Sequence, residues 1–563
     1  MKTFLIALLS ALPLFLNAQS WQWARHIGGT GMDNAVISYI DNEHNIYLYG
    51  RYAMDLGVPD FNGEDCYFDQ DTLYGINSSF IAKYDDSGNL IWLHNIASSY
   101  VNNQAEANII DMEYDSTTQS LVMAGDFVDT ITLPGCGLKG DYYHSFCTFL
   151  SKIDLDGNCV WSEKLPDLYG VTSLTFDPDG NIFLAGHTYT NHAAIGSCTF
   201  DGGAFIAKLN PDGSCIWAKT KVAVGYPNNP DFGITEIKNF KGKLFAIGNI
   251  GGSGTISIDT ISVSVSCQYC GGVGLLCMDN ESNAIWMKVD GLPHSGTGSK
   301  CMGITDSGNI LYLAGTADSC VFEKDTVISL GSNWIVVKHD ENGNMIGYNH
   351  LKYETGYEGA TLYSSIFVNL DGSYYLNSGF SGNAYIGNDT LTSLGWFDLL
   401  VVRFNASDNC MGLEDTRGGI GESLFADESG VYLTGIFSPF PSDTGTMNIG
   451  NYFFTTYGFE DIVFAKHDLM TGIEKARNAG DNNLVIYANP NKGSFRVKLP
   501  DEFLHENNLT FTVYDSRGKI IKSQNISLNQ DYPRLDIFGQ PPGVYFVTVS
   551  NGKKSYSGKM VVE

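Results

Sequence analysis

This sequence has few charged side chains and almost no runs of Ala, Leu, Glu and Lys, the residues that favour helices. Only 17% of its 563 residues are charged, against roughly 25% in a typical soluble protein. In their place stand 63 glycines, together with many Tyr, Phe, Thr and Asn residues. This composition is typical of strands joined by tight turns, so we expect an all-β protein.

Basic side chains are scarce, with 33 Lys and Arg against 62 Asp and Glu and a formal net charge of −29. So negative a surface repels phosphate backbones, which argues against nucleic acid as a partner. The excess of acid is uneven, because residues 484–563 carry ten Lys or Arg and only seven Asp or Glu. The chain therefore joins two different kinds of module.

Long apolar runs are missing after the first 18 residues. Lys2 precedes an apolar stretch from Phe4 to Leu16, and Ala18 offers a small side chain for cleavage. The stretch is too short to span a bilayer, and it has the pattern of a secretory signal peptide. We therefore expect residues 1–18 to be removed, and the protein to be secreted or held at the outer cell surface.

Cysteine is sparse as well, since twelve in 563 residues are too few for a disulfide scaffold. Cys136 with Cys147 and Cys301 with Cys320 are close enough in sequence to be candidate pairs, although spacing alone leaves the connectivity open. The Cys267–Cys270 pair has zinc-site spacing, but no second pair completes such a site. A local bridge or two thiols is the favoured interpretation.

Motifs that carry chemistry are also lacking. There is no HExxH and no GxSxG, and the Asp-rich turns at 154–158 and 177–181 lack the twelfth-position Glu of a calcium loop. The sequence nominates no catalytic residue, no cofactor and no metal ligand. The sequence leaves open a pair of catalytic carboxylates for glycoside cleavage, because 62 acidic residues allow too many pairs to single out one.

Internal repetition is the strongest positive signal. A short strand ending in Gly recurs about every 64 residues, in seven copies: Asn45–Gly50, Leu121–Gly125, Asn181–Gly186, Lys243–Gly248, Ile310–Gly315, Tyr374–Gly379 and Val431–Gly435. A second apolar element ending in a base follows in six copies: Phe80–Lys83, Phe149–Lys152, Phe205–Lys208, Ile335–Lys338, Leu400–Arg403 and Val463–Lys466. Leu275–Met278 fills that place in the fourth repeat without the base.

A turn containing Gly with Asp or Asn comes next, and then a Trp in four copies, at Trp92, Trp161, Trp217 and Trp286. Each repeat thus predicts about four short strands, and a ring of such sheets can bury both faces of each. We expect a seven-bladed β-propeller over residues 19–470, with six or eight blades left open. The strand at Trp21–Arg25 would complete the last sheet and close the ring.

These two elements and the Trp that follows resemble the bacterial SBBP-type β-propeller repeat family. The likeness covers roughly residues 21–470. It implies the fold and says little of function, because propellers host many unrelated activities.

Residues 471–483 are polar without an apolar period and predict a linker. The strands that follow alternate with period two over residues 484–563, which predicts a small Ig-like β-sandwich. Their motifs resemble the type A C-terminal sorting domain of the type IX secretion system of Bacteroidetes, on these residues: Tyr487, Asn489, Pro490, Gly493, Phe495, Asp515, Gly518, Lys519, Gly543, Tyr545 and Lys559. Ala488 departs from the family, which usually has Pro there.

That resemblance implies an addressing module rather than a catalytic one. It implies the type IX secretion machinery and a sortase-like peptidase as partners. It also implies either attachment to surface lipopolysaccharide or release into the medium. An ordinary Ig-like binding domain is the alternative.

An Asp-Thr-aliphatic pattern recurs between the two repeat elements. Its threonines are Thr72, Thr130, Thr260, Thr326 and Thr390. The pattern resembles the O-glycosylation acceptor of Bacteroidetes. The alternative is a repeated strand start in which Asp and Thr bond the backbone.

Taken together, the sequence predicts an exported β-propeller that binds a polysaccharide or a protein. The alternative is a propeller hydrolase or lyase with carboxylates in the central channel. A spacer without a ligand is a third possibility.

Overall fold

The computed structural model describes residues 21–54, 65–98, 106–140, 147–165, 168, 170–188, 192–223, 231–265, 271–290, 298–316, 320–322, 325–327, 333–354, 364–387, 389–393, 397–438, 445–468, 484–487, 491–499, 503, 509–515, 519–526, 533–551 and 555–562. They form two compact units, residues 1–470 and 471–563. The predicted signal peptide, the linker 471–483 and the Cys267–Cys270 pair lie outside the described residues.

Every named element in the described residues is a strand, which confirms the predicted all-β class. The strands are β1 (Trp21–Gly29), β2 (Met32–Ile40), β3 (Ile46–Met54), β4 (Asp65–Phe68), β5 (Asp71–Tyr74), β6 (Ser78–Tyr84), β7 (Leu90–Ser98), β8 (Glu106–Asp115), β9 (Ser120–Val128), β10 (Thr130–Leu133), β11 (Cys136–Lys139), β12 (Cys147–Asp154) and β13 (Cys159–Leu165). The third and fourth repeats hold β14 (Val171–Phe176), β15 (Ile182–Thr188), β16 (Ala193–Ile195), β17 (Cys198–Phe200), β18 (Gly203–Leu209), β19 (Cys215–Ala223), β20 (Asp231–Phe240), β21 (Lys243–Gly251), β22 (Gly254–Ile258), β23 (Ile261–Val265), β24 (Gly271–Asp279) and β25 (Ala284–Asp290).

The remaining repeats hold β26 (Gly298–Ile304), β27 (Ile310–Thr316), β28 (Cys320–Phe322), β29 (Asp325–Val327), β30 (Asn333–His339), β31 (Met345–Glu354), β32 (Ser364–Val368), β33 (Tyr374–Phe380), β34 (Asn383–Ile386), β35 (Asp389–Thr392), β36 (Asp398–Phe404), β37 (Cys410–Asp415), β38 (Ile420–Ala426), β39 (Val431–Phe437), β40 (Thr446–Ile449), β41 (Tyr452–Thr455) and β42 (Asp461–His467). The second unit holds β43 (Val485–Tyr487), β44 (Ser494–Lys498), β45 (Leu509–Asp515), β46 (Ile520–Ile526), β47 (Arg534–Asp536), β48 (Gly543–Ser550) and β49 (Ser555–Val562).

Seven four-stranded antiparallel arrangements recur in the first unit, and we number them as sheets 1 to 7. Their strand orders are β2-β3-β6-β7, β8-β9-β12-β13, β14-β15-β18-β19, β20-β21-β24-β25, β26-β27-β30-β31, β32-β33-β36-β37 and β38-β39-β42-β1. Sheet 7 joins both ends of the unit, because β1 pairs with β42 from Trp21 opposite His467 to Ile27 opposite Ile462. The closing strand predicted at Trp21–Arg25 is confirmed.

The first strands of the seven sheets form a closed circle. Each of β2, β8, β14, β20, β26, β32 and β38 contacts the next, and β38 contacts β2. Apolar side chains fill the space between each sheet and its neighbour, as where Phe464 of sheet 7 meets Tyr84 of sheet 1 with ring centroids 5.1 Å apart. Each sheet thus buries both faces against the sheets beside it.

A hydrogen bond that uses a side chain joins the sheets at every one of the seven junctions of this circle. The bonds are Ser38 Oγ to Met112 O (2.5 Å), Leu174 N to Asp111 Oδ2 (2.8 Å), Ile237 N to Ser173 Oγ (3.3 Å), Met302 N to Glu236 Oε2 (2.5 Å), Ile366 N to Cys301 Sγ (3.2 Å), Asn377 Nδ2 to Ser423 O (3.0 Å) and Ile37 N to Ser423 Oγ (2.8 Å). We call this set the junction belt. It pairs backbone groups that face the neighbouring sheet, where no β-ladder reaches them.

The outer strands are fixed by the repeated Trp. Trp286 of sheet 4 donates its indole N–H to the carbonyl of Glu341, in the turn of sheet 5, at 3.2 Å. Gly343 in that turn has a φ of 77°, and a Cβ there would lie 2.8 Å from the Trp286 ring. Trp23 makes the same contact with the turn of sheet 1, donating to Asp86 O at 2.8 Å. The Gly and the Trp of the motif therefore serve one contact between neighbouring repeats.

Each repeat holds two more strands than the four predicted. A short hairpin is inserted between the second and third strands of every sheet, as with β4–β5 and β40–β41. Three of these hairpins extend the outer edge of the preceding sheet, since β4 pairs with β1, β10 with β7 and β34 with β31. The prediction was too low because strands of three to five residues are hard to tell from loops.

The candidate pairing of Cys136 with Cys147 is wrong. Cys136 bonds to Cys159 instead, and Cys198 bonds to Cys215. Both disulfides join the second strand of an inserted hairpin to the start of the sheet's outer strand, so they occupy equivalent places in two successive repeats. Cys301 Sγ takes part in the junction belt. The side chain of Cys320 lies outside what the structure describes, so the candidate pairing of Cys301 with Cys320 stays a prediction.

The second unit consists of a three-stranded sheet, β43-β44-β47, and a four-stranded sheet, β46-β45-β48-β49. One apolar core includes side chains of both sheets, among them Phe495, Phe511 and Val547. The predicted small module of short alternating strands is thus present, with β46 and β47 in addition to the five strands expected.

Gly343 provides a test of the contact between repeats. We expect Gly343→Ala to lower the free energy of unfolding for two reasons. The left-handed backbone alone costs about 1–2 kcal/mol with a Cβ present, and the new Cβ also displaces Trp286. Urea unfolding monitored by Trp fluorescence measures the loss. Gly347→Ala is the control, since a Cβ there meets no atom within 4 Å. Equal stability of the two variants would contradict the contact.

Candidate functional site

Charged side chains from the innermost strands meet near the centre of the ring. Lys238 Nζ on β20 lies 3.1 Å from Glu113 Oε1 on β8 and 3.3 Å from Glu236 Oε1 beside it. The lysine spans the width of β14, which contacts both strands. We call Asp111, Glu113, Glu236 and Lys238 the central cluster.

Burial changes the acidity of this region. It raises the pKa of Asp111 to about 7, with the charge of Glu113 adding to the effect and the N–H of Leu174 opposing it. Burial likewise raises the pKa of Glu422 on β38 to about 8, although the N–H of Ala35 donates to its Oε2 at 3.2 Å. A carboxyl group that keeps its proton near neutral pH can act as a general acid.

A second feature is a cleft of about 460 Å³ at the closing sheet. Three segments that are distant in sequence line it: Ala24–His26 of β1, Tyr67 and Asp69 of the β4–β5 hairpin, and Phe453–Thr455 with Tyr457 at the β40–β41 hairpin. We call it the seam cleft, because it lies where the two ends of the ring unit pair. A volume in this range is typical of small-ligand sites.

Three aromatic rings among the residues that line the seam cleft are exposed. Phe453 is 76% exposed, Tyr457 55% and Tyr67 39%. Tyr457 stacks on His26 with centroids 4.4 Å apart and planes 8° apart, and Tyr67 meets Tyr457 edge-on at 5.5 Å. Large aromatic side chains grouped in the open are costly to leave in water, so they indicate a binding surface.

The cleft is rigidly supported from below. His26 Nε2 lies 2.6 Å from Asp461 Oδ2, and the Asp461 side chain is fully buried. The same carboxylate oxygen accepts the backbone N–H of Tyr457 at 2.7 Å. Gly458 packs so closely on Gly29 O and Thr30 that a Cβ would lie 2.4 Å from them. The Tyr457 ring is therefore held in place before any ligand arrives.

The polar groups of the cleft are mainly acceptors. Arg25 has its guanidinium committed to backbone carbonyls, with Nε to Gly88 O at 2.7 Å and Nη2 to Ser87 O at 3.0 Å. The Tyr67 hydroxyl donates to Asp65 Oδ2 at 2.6 Å, and this bond raises the pKa of Tyr67. Asp69 is exposed at the turn of the hairpin.

The sequence analysis missed the seam cleft. Its lining residues come from three distant segments, and none matches a catalytic or binding motif. The available signal was local: Tyr452–Tyr457 holds four aromatic residues in six positions, and the exposed Phe453 alternates with the inward-facing Phe454.

The Asp-Thr-aliphatic threonines all lie on the inserted hairpins. Thr72, Thr326 and Thr390 are in second strands, Thr130 begins a first strand, and Thr260 is in a turn. Thr260 and Thr390 are exposed. Asp259 accepts the N–H of Ala284 on its Oδ2 at 2.8 Å, so at this copy the acid also has a structural role.

The sorting-motif residues that the structure describes support the small sandwich. Gly493 has a φ of 87° and donates its N–H to Asn491 Oδ1 at 2.8 Å. Asp515 accepts the N–H of Lys519 at 2.9 Å across the β45–β46 turn. Phe495 and Tyr545 are buried in the core, and the Tyr545 hydroxyl donates to Pro541 O.

Other motif positions are less informative. Gly543 begins β48, Lys559 is an exposed residue of β49, and Tyr487 lies in β43. Asn489, Pro490 and Gly518 fall outside the described residues.

No three His, Cys, Asp or Glu side chains group as a metal site among the described residues. In the same part of the chain no helix is long and apolar enough to cross a membrane.

Comparison with known proteins bears first on the second unit. Residues 485–563 match the family of secretion system C-terminal sorting domains. The match indicates export by the type IX secretion system to the cell surface or the medium, with that machinery as a partner.

Three further similarities are distant. Over 231 residues, 35% of its length, this chain is 24% identical to an uncharacterized WD repeat-containing protein of Acanthamoeba polyphaga mimivirus, and the match spans 16% of that protein. The WD40 domain of Neurospora crassa Pan2 is 8% identical, with coverage of 78% of this chain and 95% of that one and a TM-score of 0.35. An ulvan lyase bound to -[GlcA(1-4)Rha3S]- is 10% identical, with coverage of 77% and 96% and a TM-score of 0.38. Identities this low say nothing of activity.

Glu422 allows a pH test of the buried carboxyl groups. In the unfolded chain Glu422 loses its proton near its ordinary pKa, whereas the folded protein keeps it to about pH 8. The free energy of unfolding should therefore fall as the pH rises from about 4.5 to 8. We expect Glu422→Gln to lose that part of the fall in urea titrations, while the exposed Glu428→Gln keeps it. If the free energy of unfolding of Glu422→Gln falls with pH as steeply as that of the parent protein, the raised pKa of Glu422 is refuted.

Proposed function

We propose that this chain is an exported seven-bladed β-propeller, followed by an Ig-like sorting domain, that binds a polysaccharide or a protein at the outer cell surface or in the medium. The seven sheets, their closed circle of first strands and the strand shared by both ends support the seven-bladed arrangement. The repeat pattern over residues 19–470 supports the SBBP-type resemblance.

The delivery route extends what the sorting-domain match indicates. Residues 1–18 act as the signal peptide, residues 471–483 as the linker and residues 484–563 as the sorting domain. A sortase-like peptidase removes that domain, and the propeller is joined to lipopolysaccharide or released. The polar sequence of the linker supports such processing.

The seam cleft is the observation that carries the binding function. Three of its rings are exposed, and among them Tyr457 stacks on His26, which Asp461 holds from below, while Tyr67 meets Tyr457 edge-on. Phe453 and Tyr457 leave large apolar areas in water, where their burial would be favourable. A ligand that covers them gains that stabilisation on binding.

A hydrolase or lyase is the second candidate, favoured by the central cluster. Asp111 with its raised pKa fits a general acid, and Glu113, 3.1 Å from Lys238 Nζ, supplies a second carboxyl group. Paired carboxylates in two protonation states are the usual equipment of glycoside cleavage.

The binding function predicts stabilisation by ligand. We expect residues 19–563 to melt at a higher temperature with one ligand class of a panel of soluble polysaccharides and isolated surface proteins. A ligand at about 100 times its Kd adds about 2.7 kcal/mol to the free energy of unfolding, which differential scanning calorimetry detects. Phe453→Ala should lose the shift and keep the melting temperature of the free protein.

Two different results would contradict the proposed binding function. If no ligand shifts the transition, a spacer replaces the binding function. If a polysaccharide is shortened during the assay and Glu113→Gln abolishes the shortening, the second candidate replaces it.

We also propose that the five hairpin threonines are O-glycosylated, since the Asp-Thr-aliphatic pattern falls on an inserted hairpin in each of five repeats. The protein purified from its own host should then exceed the mass of its mature sequence by whole glycan units. Replacing Thr260 and Thr390 by Val should remove two of those units in intact-mass spectrometry. A mass equal to the bare sequence would exclude the modification.

A further inference from the structure

The seam cleft also indicates which ligand it takes. Its volume of about 460 Å³ suits a few sugar rings, whereas a stable protein contact needs roughly 800 Å² from each partner. Its exposed rings are flat, and the faces of such rings carry negative charge density that attracts the slightly positive C–H groups of a pyranose. A glycan therefore fits the cleft better than a protein surface.

The charges of the cleft restrict the glycan further. Asp69 lines the cleft with a carboxylate, which accepts hydrogen bonds from sugar hydroxyls and repels uronates and sulfates. Asp65 adds a second negative charge nearby, where its Oδ2 accepts the Tyr67 hydroxyl.

Two lining residues carry basic side chains, and both already have partners. His26 Nε2 lies 2.6 Å from Asp461 Oδ2. Arg25 donates to Gly88 O and Ser87 O and stacks 5.7 Å over the Trp23 ring. A ligand carboxylate would have to compete with these partners.

The charge of the whole unit acts in the same direction. The chain carries a net charge of −29, and residues 484–563 contribute a small positive balance. The propeller unit is thus more acidic than the chain as a whole. A polyanion would have to approach against this field, whereas an uncharged chain is indifferent to it.

We propose that the seam cleft binds an uncharged polysaccharide, with pyranose rings stacked on Tyr457 and Phe453 and hydroxyls donated to Asp69. This assignment rests on the proposed binding function and adds the ligand class and its contacts. Tyr457 is the central platform, because His26 covers one face of its ring and leaves the other for the sugar. Tyr67, edge-on to Tyr457, closes the side of the cleft.

The test uses residues 19–563 in affinity gel electrophoresis and isothermal titration calorimetry. The uncharged probes are dextran, galactomannan, xyloglucan and laminarin, and the anionic probes are alginate, polygalacturonate and ulvan. We expect at least one uncharged probe to bind and the anionic probes not to bind. The affinity should change less than about twofold between low and 0.5 M salt, since no charge pair is screened.

Four variants locate the binding. Tyr457→Ala and Phe453→Ala should each weaken the affinity about tenfold or more, whereas Tyr457→Phe keeps the ring and should bind as the parent does. Phe538→Ala is the matched control, because Phe538 is 64% exposed and belongs to the second unit. The melting temperature of each free variant shows that the fold is intact.

The outcomes separate this inference from the function on which it rests. Binding of an anionic probe through the cleft, or of an uncharged probe that ignores Tyr457→Ala, overturns the inference and leaves a binding protein. Binding of a protein ligand alone does the same. If neither these probes nor any polysaccharide or surface protein of the wider panel binds, both the inference and the proposed function fail.

Discussion

The ring depends on the junction belt. Where two inner strands meet without a ladder, backbone groups would be buried unpaired, at a cost of about 1–3 kcal/mol each. Ser, Asp, Glu, Asn and Cys side chains all meet this need, so the belt constrains geometry more than residue type. It also explains why Asp111 and Glu236 stand at the centre, since each accepts the N–H of the next strand. Acids at the centre are thus expected from structure alone.

Short-range patterns made the repeat readable from sequence. Gly343 and its turn could be predicted, because left-handed backbone strongly favours glycine. The role of the repeated Trp could not be predicted, because Trp286 contacts the turn of the following repeat, and such a contact exists only in the assembled ring. The same limit applies to the disulfides. Cys147 is nearer to Cys136 in sequence, but the hairpin places Cys136 against Cys159.

The seam cleft could not be predicted from the sequence either, because its residues also meet only in the assembled ring. Tyr67, His26 and Tyr457 belong to three different segments, and only the pairing of β1 with both β42 and β4 brings them together. The aromatic run in β41 was visible in the sequence, yet alternation alone does not say which rings face solvent. The sorting motif was easier, because Gly493, Asp515 and Lys519 define turns within their own unit.

The closing strand has a consequence for the order of assembly. β1 is among the first parts of the unit to leave the ribosome, and its partner β42 ends at His467, more than 400 residues later. Contacts between such distant segments are slow to form, because a long loop has to close first. A chain cut short anywhere before Asp461 lacks both the partner strand and the support of Tyr457, so it cannot present the cleft. The cleft is thereby restricted to molecules whose synthesis has run through the whole ring.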